Sequence, residues 1–186
     1  MSNYKKWESV KYLHFFYLSF ANKLLNRIPS YRLRRYCYKY MYGMRIGKNS
    51  HIQMGVRVYS PWNITIGDNC AIGHDCLLDG RRGIHIGNSV DISGYVKILT
   101  LGHDLDDTNY QTQGATVTIE DNCSVFTSSS ILPGVSLAEG SVIALGSVIT
   151  RDTKPWAIYA GIPAKFIRYR DIKGLNYKRN YRRYFH

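Results

Sequence analysis

Residues 119–150 read IEDNCSVFTSSSILPGVSLAEGSVIALGSVIT, and a branched aliphatic side chain falls on every sixth position: Ile119, Val125, Ile131, Leu137, Ile143 and Ile149. Two places before each step after the first stands a small or narrow residue: Cys123, Ser129, Val135, Ser141 and Ser147. Apolar positions recur every three to four residues on a helix and every two on a half-buried strand, so a period of six is neither alone. Six is a multiple of two, and a strand repeats on it if the chain turns a corner each time. Three such sides close one triangular turn whose Ile and Leu stack on the turn below. This is the parallel β-helix reading of a hexapeptide repeat.

The same phase extends toward the N-terminus through Ile46, Ile52 and Val58, then Ile66, Ile72 and Leu78, then Ile86, Ile92 and Ile98. These triplets start twenty residues apart rather than eighteen, and the two extra residues are expected at one corner, Ile64-Thr65 and Ile84-His85. Each coil opens on a turn-rich tetrapeptide, as in Ile46-Gly47-Lys48-Asn49 and Ile66-Gly67-Asp68-Asn69, where Gly and Asn tolerate the left-handed backbone of a tight corner. The sites two before the inward aliphatics are Ser, Cys or Val at all eleven positions (the earlier ones are Ser50, Val56, Cys70, Cys76, Val90 and Val96), which is a packing rule at a narrow vertex. A helical reading, a different β-solenoid and a sandwich are the lesser alternatives.

The expected architecture is an all-β solenoid over residues 46–164, a helical cap over 1–45 and a basic, poorly ordered extension over 165–186. A chain of 186 residues has one-domain length. Cys37, Cys70, Cys76 and Cys123 show no metal-ligand spacing. Three of them sit at vertex positions where a thiol packs, so they read as free and the compartment as reducing. The net charge of +12 divides into +9 over residues 1–45, −4 over 46–164 and +7 over 165–186. Basicity therefore belongs to the flanks, which are interleaved with tyrosine. Such a surface suits either plain solvation or peripheral contact with the anionic inner face of a membrane. No nucleic-acid motif accompanies it.

From Lys5 to Arg27 the chain reads as a helix, with Trp7, Tyr12, Leu13, Phe16, Phe20, Leu24 and Ile28 in phase. Its uncharged run, Tyr12 to Asn22, is too short to cross a bilayer and lacks a cleavage site. Ser30 is placed to cap a second helix ending near Gly43. A solenoid needs its open end covered, because the end coil presents an unpaired edge. Capping is the first role expected of this segment, and membrane docking the second.

The rhythm breaks once, at a polar excursion over residues 101–117 with His103 at its root. Twenty residues separate His103 from Gly83, so the imidazole is expected to overhang a residue without a side chain. An insertion that spares the core is there for a partner or substrate. His14, His51, His74, His85 and His186 read as exposed structure, and no close histidine pair supports a metal. Imidazole suits general-base work, which makes His103 the candidate base. Asp104 adjoins it, but consecutive residues of an extended chain point to opposite sides.

From about Ile46 to Arg168 the sequence resembles the bacterial hexapeptide-repeat O-acetyltransferases of the maltose and galactoside type, nearest those of capsular and exopolysaccharide clusters. The resemblance rests on Leu78-Asp79-Gly80-Arg81-Arg82-Gly83-Ile84, Gly102-His103-Asp104, Ile131-Leu132-Pro133-Gly134-Val135, Gly146-Ser147-Val148-Ile149-Thr150-Arg151-Asp152 and Gly161-Ile162-Pro163-Ala164-Lys165. It implies a left-handed parallel β-helix assembled as a cytoplasmic homotrimer, with acetyl-CoA between subunits and a carbohydrate hydroxyl attacking the thioester directly. It assigns the base to His103 and the oxyanion donor to the Thr127 amide. It places Phe126, Leu145, Thr150, Arg151, Lys165 and Arg168 against CoA, and leaves Asp79 and Asp104 as acceptor contacts. It implies no metal.

The chain departs from that family at three points. Ser124-Val125-Phe126 replaces the usual Trp-Ile-Gly, Leu145 replaces Ala or Ser, and Ile162 replaces Asn. The first two put bulk beside the expected pantetheine channel. An N-acyltransferase of an amino sugar and a non-catalytic solenoid scaffold are the alternatives to O-acetyl transfer.

Overall fold

The structure is a computed structural model and describes residues 15–172. Three flat parallel sheets wind about one axis. The first face stacks Arg45–Ile46, Ile64–Ile66, Ile84–Ile86, Val117–Ile119 and Ser136–Leu137. The second runs from His51–Ile52 to Val142–Ile143 and ends in the hairpin of Ala157–Gly161 with Ala164–Tyr169, and the third runs from Arg57–Tyr59 to Val148–Ile149. The inward aliphatics pair coil on coil as the period of six predicts: Ile46, Ile66, Ile86, Ile119 and Leu137 form one column. Ile52, Ile72, Ile92, Val125 and Ile143 form another. Each fully buried Ile contributes about 1.5–3 kcal/mol relative to exposure. All eleven vertex residues are at most 3% exposed, which explains why nothing wider than Val occupies them.

Left-handed backbone falls where the corner tetrapeptides call for it, at Asn49, Asn69, Ser89 and Asn122. One neighbour along, carboxylates and amides lace successive coils together. Asp68 Oδ1 accepts from the Lys48 N–H, Asn88 Oδ1 from that of Asp68, and Asp121 Oδ1 from that of Asn88. The extra residues of the twenty-residue coils lie in the 3₁₀ turns Pro61–Asn63 and Gly80–Arg82, not at Ile64-Thr65 and Ile84-His85. Ile64 and Ile84 are fully buried strand residues, so the slack had to fall before them.

The N-terminal helices close the first coil by satisfying all three of its open edges. Asn22 pairs with Val58 as a strand would, donating to its carbonyl and accepting from its N–H, both at 2.8 Å. The fully buried Arg34 donates to Ile52 O, and Arg35 to Gly47 O. Ser30 caps the helix Tyr31–Tyr36, accepting from the Leu33 N–H at 3.3 Å. The face of the first helix differs from expectation. Leu18, Ala21 and Leu25 turn inward, while Phe16, Phe20 and Leu24 face solvent. Trp7, Tyr12 and Leu13, with residues 1–14, lie outside the described residues.

The C-terminal extension also differs in part. Lys165 to Tyr169 belongs to a six-residue strand rather than a loose tail, because its backbone pairs antiparallel with Ala157–Gly161 at the edge of the second face. Residues 173–186 lie outside the described residues.

Candidate active site

The polar excursion is a β-hairpin rooted at the corner between the third and first faces. Leu101–His103 pairs antiparallel with Thr112–Gly114, with His103 opposite Thr112. A glycine is required at 114, where a Cβ would stand 2.2 Å from Thr100 O. Asp104 Oδ1 accepts from the Asp106 N–H and Asp107 Oδ1 from the Asn109 N–H, so both carboxylates shape the tip. His103 is exposed and lies flat on the ring of Tyr110, with centroids 4.3 Å apart and planes 9° from parallel. That partner was not foreseen from the sequence, because it depends on which residues the hairpin pairs.

The residue above Gly83 is Thr116 and not His103. The thirteen added residues are consumed in the hairpin before the ladder resumes, so Val117 sits over Ile84, and Thr116 Oγ1 donates to Arg82 O. A polar network holds the hairpin's root. Thr100, fully buried, donates its hydroxyl to Asp79 O at 2.7 Å and accepts from the Arg82 N–H at 2.9 Å.

Asp79 lies beneath this root, 1% exposed, with its oxygens facing Arg81 Nε at 2.8 Å and Nη2 at 2.9 Å. Burial alone would raise its pKa, but the hydrogen bonds and charge of Arg81 outweigh this and hold it below the ordinary carboxyl range. Its carboxylate accepts from Arg81 through both oxygens.

The remaining residues divide between two corners. Thr150 and Arg151 lie exposed at the hairpin's corner, two coils further on. Phe126 and Thr127, Leu145, and the Ile162-Pro163 turn of the final hairpin share the corner between the second and third faces. There Phe126 is 47% exposed, Leu145 72% and Ile162 76%, a short apolar ridge on successive coils. Thr127 accepts from the Gly146 N–H through its carbonyl, while its own N–H has no acceptor among the described residues. Lys165 is exposed near this corner, paired with Ala160 across the hairpin. Arg168 is displaced from it, opposite Ile158, and donates to Asp171 at 3.0 Å.

Within one chain, one side of the triangle separates His103 from Thr127. Among the described residues no hydrogen bond, ion pair or ring contact joins them. No group of three or more His, Cys, Asp and Glu is placed to hold a metal among the described residues. His51 is buried beneath the edge of Tyr31, and His85 faces outward mid-strand rather than at a corner. The four cysteines are all buried, and burial pushes the Cys76 thiol up to about 12, so it is not poised as a nucleophile.

Residues 63–94 and 116–151 match the family described as the hexapeptide repeat of succinyl-transferase, and the gap between them contains the hairpin. The chain is 29% identical over 140 residues to a putative colanic acid biosynthesis acetyltransferase, WcaF, of Escherichia coli K12, covering 75% of this chain and 76% of that protein. A hexapeptide-repeat acetyltransferase of Vibrio cholerae complexed with acetyl coenzyme A superposes with a TM-score of 0.76 at 26% identity, covering 82% and 85% of the two chains. A maltose O-acetyltransferase of Clostridium difficile superposes at 0.73 and 26%, covering 82% and 84%.

Proposed function

We propose that this chain, part of which matches the hexapeptide-repeat family, is an acetyl-CoA-dependent O-acetyltransferase acting on a carbohydrate hydroxyl of a surface polysaccharide or its precursor. One observation carries the reading: a projecting imidazole and an uncommitted backbone N–H stand at neighbouring corners of the same solenoid.

The residues present fit the donor. The Phe126, Leu145 and Ile162 ridge offers apolar contact to a pantetheine arm, and Arg151 and Lys165, both exposed and without a carboxylate partner among the described residues, offer charge to phosphates. When bound, acetyl-CoA supplies a thioester carbonyl open to attack. A sugar alcohol is almost un-ionised at neutral pH, so His103 takes its proton as the new C–O bond forms, a role typically worth about 10²- to 10⁴-fold. The flat stack on Tyr110 restricts the imidazole's rotation. The Thr127 N–H, with no competing acceptor among the described residues, donates to the carbonyl oxygen as negative charge develops there. Loss of one such donor typically costs about 2.7–4 kcal/mol. Because the thiols are buried, attack by the acceptor itself is favoured over an acyl-enzyme.

Base and oxyanion donor lie on different corners, so the reading requires a second copy to bring its Thr127 corner to the first copy's hairpin. A cyclic trimer supplies that contact three times over. The acceptor's polymeric or lipid-linked nature would place the work at the cytoplasmic face of the membrane.

The test is His103→Ala. The rate should fall at least about a hundredfold while CoA affinity and oligomeric state persist. Full activity in the variant would remove the assignment. Calorimetry separates an enzyme from a scaffold, since the absence of heat on adding CoA would favour the scaffold.

A further inference from the structure

The N-terminal cap has an outer face that is both basic and apolar. Residues 9–67 contain ten Lys and Arg and no Asp or Glu. The helices that seal the first coil turn a second, apolar face away from it. Phe16 is 72% exposed, Leu24 60% and Tyr40 66%, and Phe20, Leu33 and Tyr36 are exposed as well.

Between the second helix and the first corner lies a cavity of about 460 Å³. Its walls are Arg32, Arg35, Lys39, Tyr31, Tyr36 and Tyr40, and residues 49–51 complete it. No carboxylate lines it. Arg35 commits a terminal nitrogen to Gly47 O, yet its buried Nε has no acceptor among the described residues. Three cationic side chains and tyrosine hydroxyls around a cavity of this size suit a phosphate group.

We propose that this face docks on an anionic bilayer, the apolar stripe entering the acyl boundary and the cavity receiving a lipid phosphate. Apolar and cationic side chains together on one helical surface fit the two layers of a membrane interface. A second copy fits poorly, because a self-complementary contact would set one carboxylate-free surface against another. Nucleic acid would answer the cations but leave Phe16 and Leu24 nothing to bury against. The inference does not depend on acyl transfer. Among the described residues no helix is long and apolar enough to cross a membrane, so the contact would be peripheral.

The full chain is sedimented with phosphatidylcholine vesicles, with and without phosphatidylglycerol, over a salt series. Binding should require the anionic lipid and weaken with salt. R32Q/K39Q should lower the partition coefficient about thirtyfold, at about fivefold per cation near an anionic surface. F16S/L24S should also lower it and leave a remainder more sensitive to salt. None of the four positions is buried, so gel filtration and CoA binding should be unchanged in both variants, which separates this test from the catalytic one. Equal partition onto neutral and anionic vesicles, or unaltered partition of R32Q/K39Q, would overturn the proposal. So would displacement of the protein from vesicles by duplex DNA at equal phosphate concentration. An assembly that shrinks in F16S/L24S without any vesicle binding would assign the face to a second copy instead.

Discussion

Thr100→Val tests whether the buried root of the hairpin is what holds His103 in place. The substitution nearly preserves volume but removes a hydroxyl that serves two backbone groups, Asp79 O at 2.7 Å and the Arg82 N–H at 2.9 Å. A buried group left without its partner costs about 1–3 kcal/mol. Asp79 O remains enclosed and takes the upper part of that range. Arg82 is exposed and its N–H can recover water, so it takes the lower part. The expected loss is about 2–4 kcal/mol by the same reckoning. Urea unfolding at fixed protein concentration measures it, since an oligomer's stability moves with concentration. The turnover rate should fall as well, while CoA affinity stays, because the Thr127 corner does not touch this network. A loss below about 0.5 kcal/mol, the scatter of an ordinary surface substitution, would refute the idea that Thr100 anchors the hairpin.

Asp79 gives a pH signature. Its folded pKa lies below the ordinary value, so its contribution is fully present above the usual carboxyl range of about 3.9 and is lost as pH falls through the lower folded value. Wild type should therefore lose stability to acid over that window more steeply than Asp79→Asn, as read by urea midpoints across acid pH. Asn22→Ala should cost about 1–3 kcal/mol, because it strips Val58 of two backbone partners. It should also raise light scattering on storage by reopening a strand edge. Phe126→Ala and Leu145→Ala, both at exposed positions, should stay within about 0.5 kcal/mol of wild type in stability. An acyl-CoA series should show longer chains accepted, and an unchanged profile would clear these side chains of any gating role.

The solenoid was legible because its rule is local and repeats. An aliphatic every six residues and a narrow residue two before it could be counted without knowing any distant contact, and both hold coil after coil. The hairpin was legible as an interruption, but its register was not. Counting twenty back from His103 assumed that the ladder continued through the insertion, whereas the chain suspends it at Thr100 and resumes it at Val117. The Asp79–Arg81 pair was not legible, because a carboxylate looks free until Arg81 is seen folding back on it. The Phe16, Phe20 and Leu24 stripe has helical phase, but phase alone cannot say which of two apolar faces turns inward. The smaller side chains Leu18, Ala21 and Leu25 meet the coil end, which leaves the aromatic residues outside.

The division of the candidate site between two corners has a consequence for how the protein can be regulated by mass action. If catalysis needs the His103 hairpin of one copy and the Thr127 corner of another, the active species is the assembly. Specific activity should then fall on dilution through the dissociation range, even though each coil stack remains folded. Mixing inactive His103→Ala with a variant crippled only at the other corner distinguishes this from a site contained in one chain. Phe126→Lys serves that purpose, since it puts a flexible cation into the apolar ridge. In mixed assemblies some interfaces pair the intact hairpin of the Phe126→Lys chain with the intact ridge of the His103→Ala chain, so activity should return. A site confined to one chain could never be restored by mixing, because every chain present would carry one of the two defects.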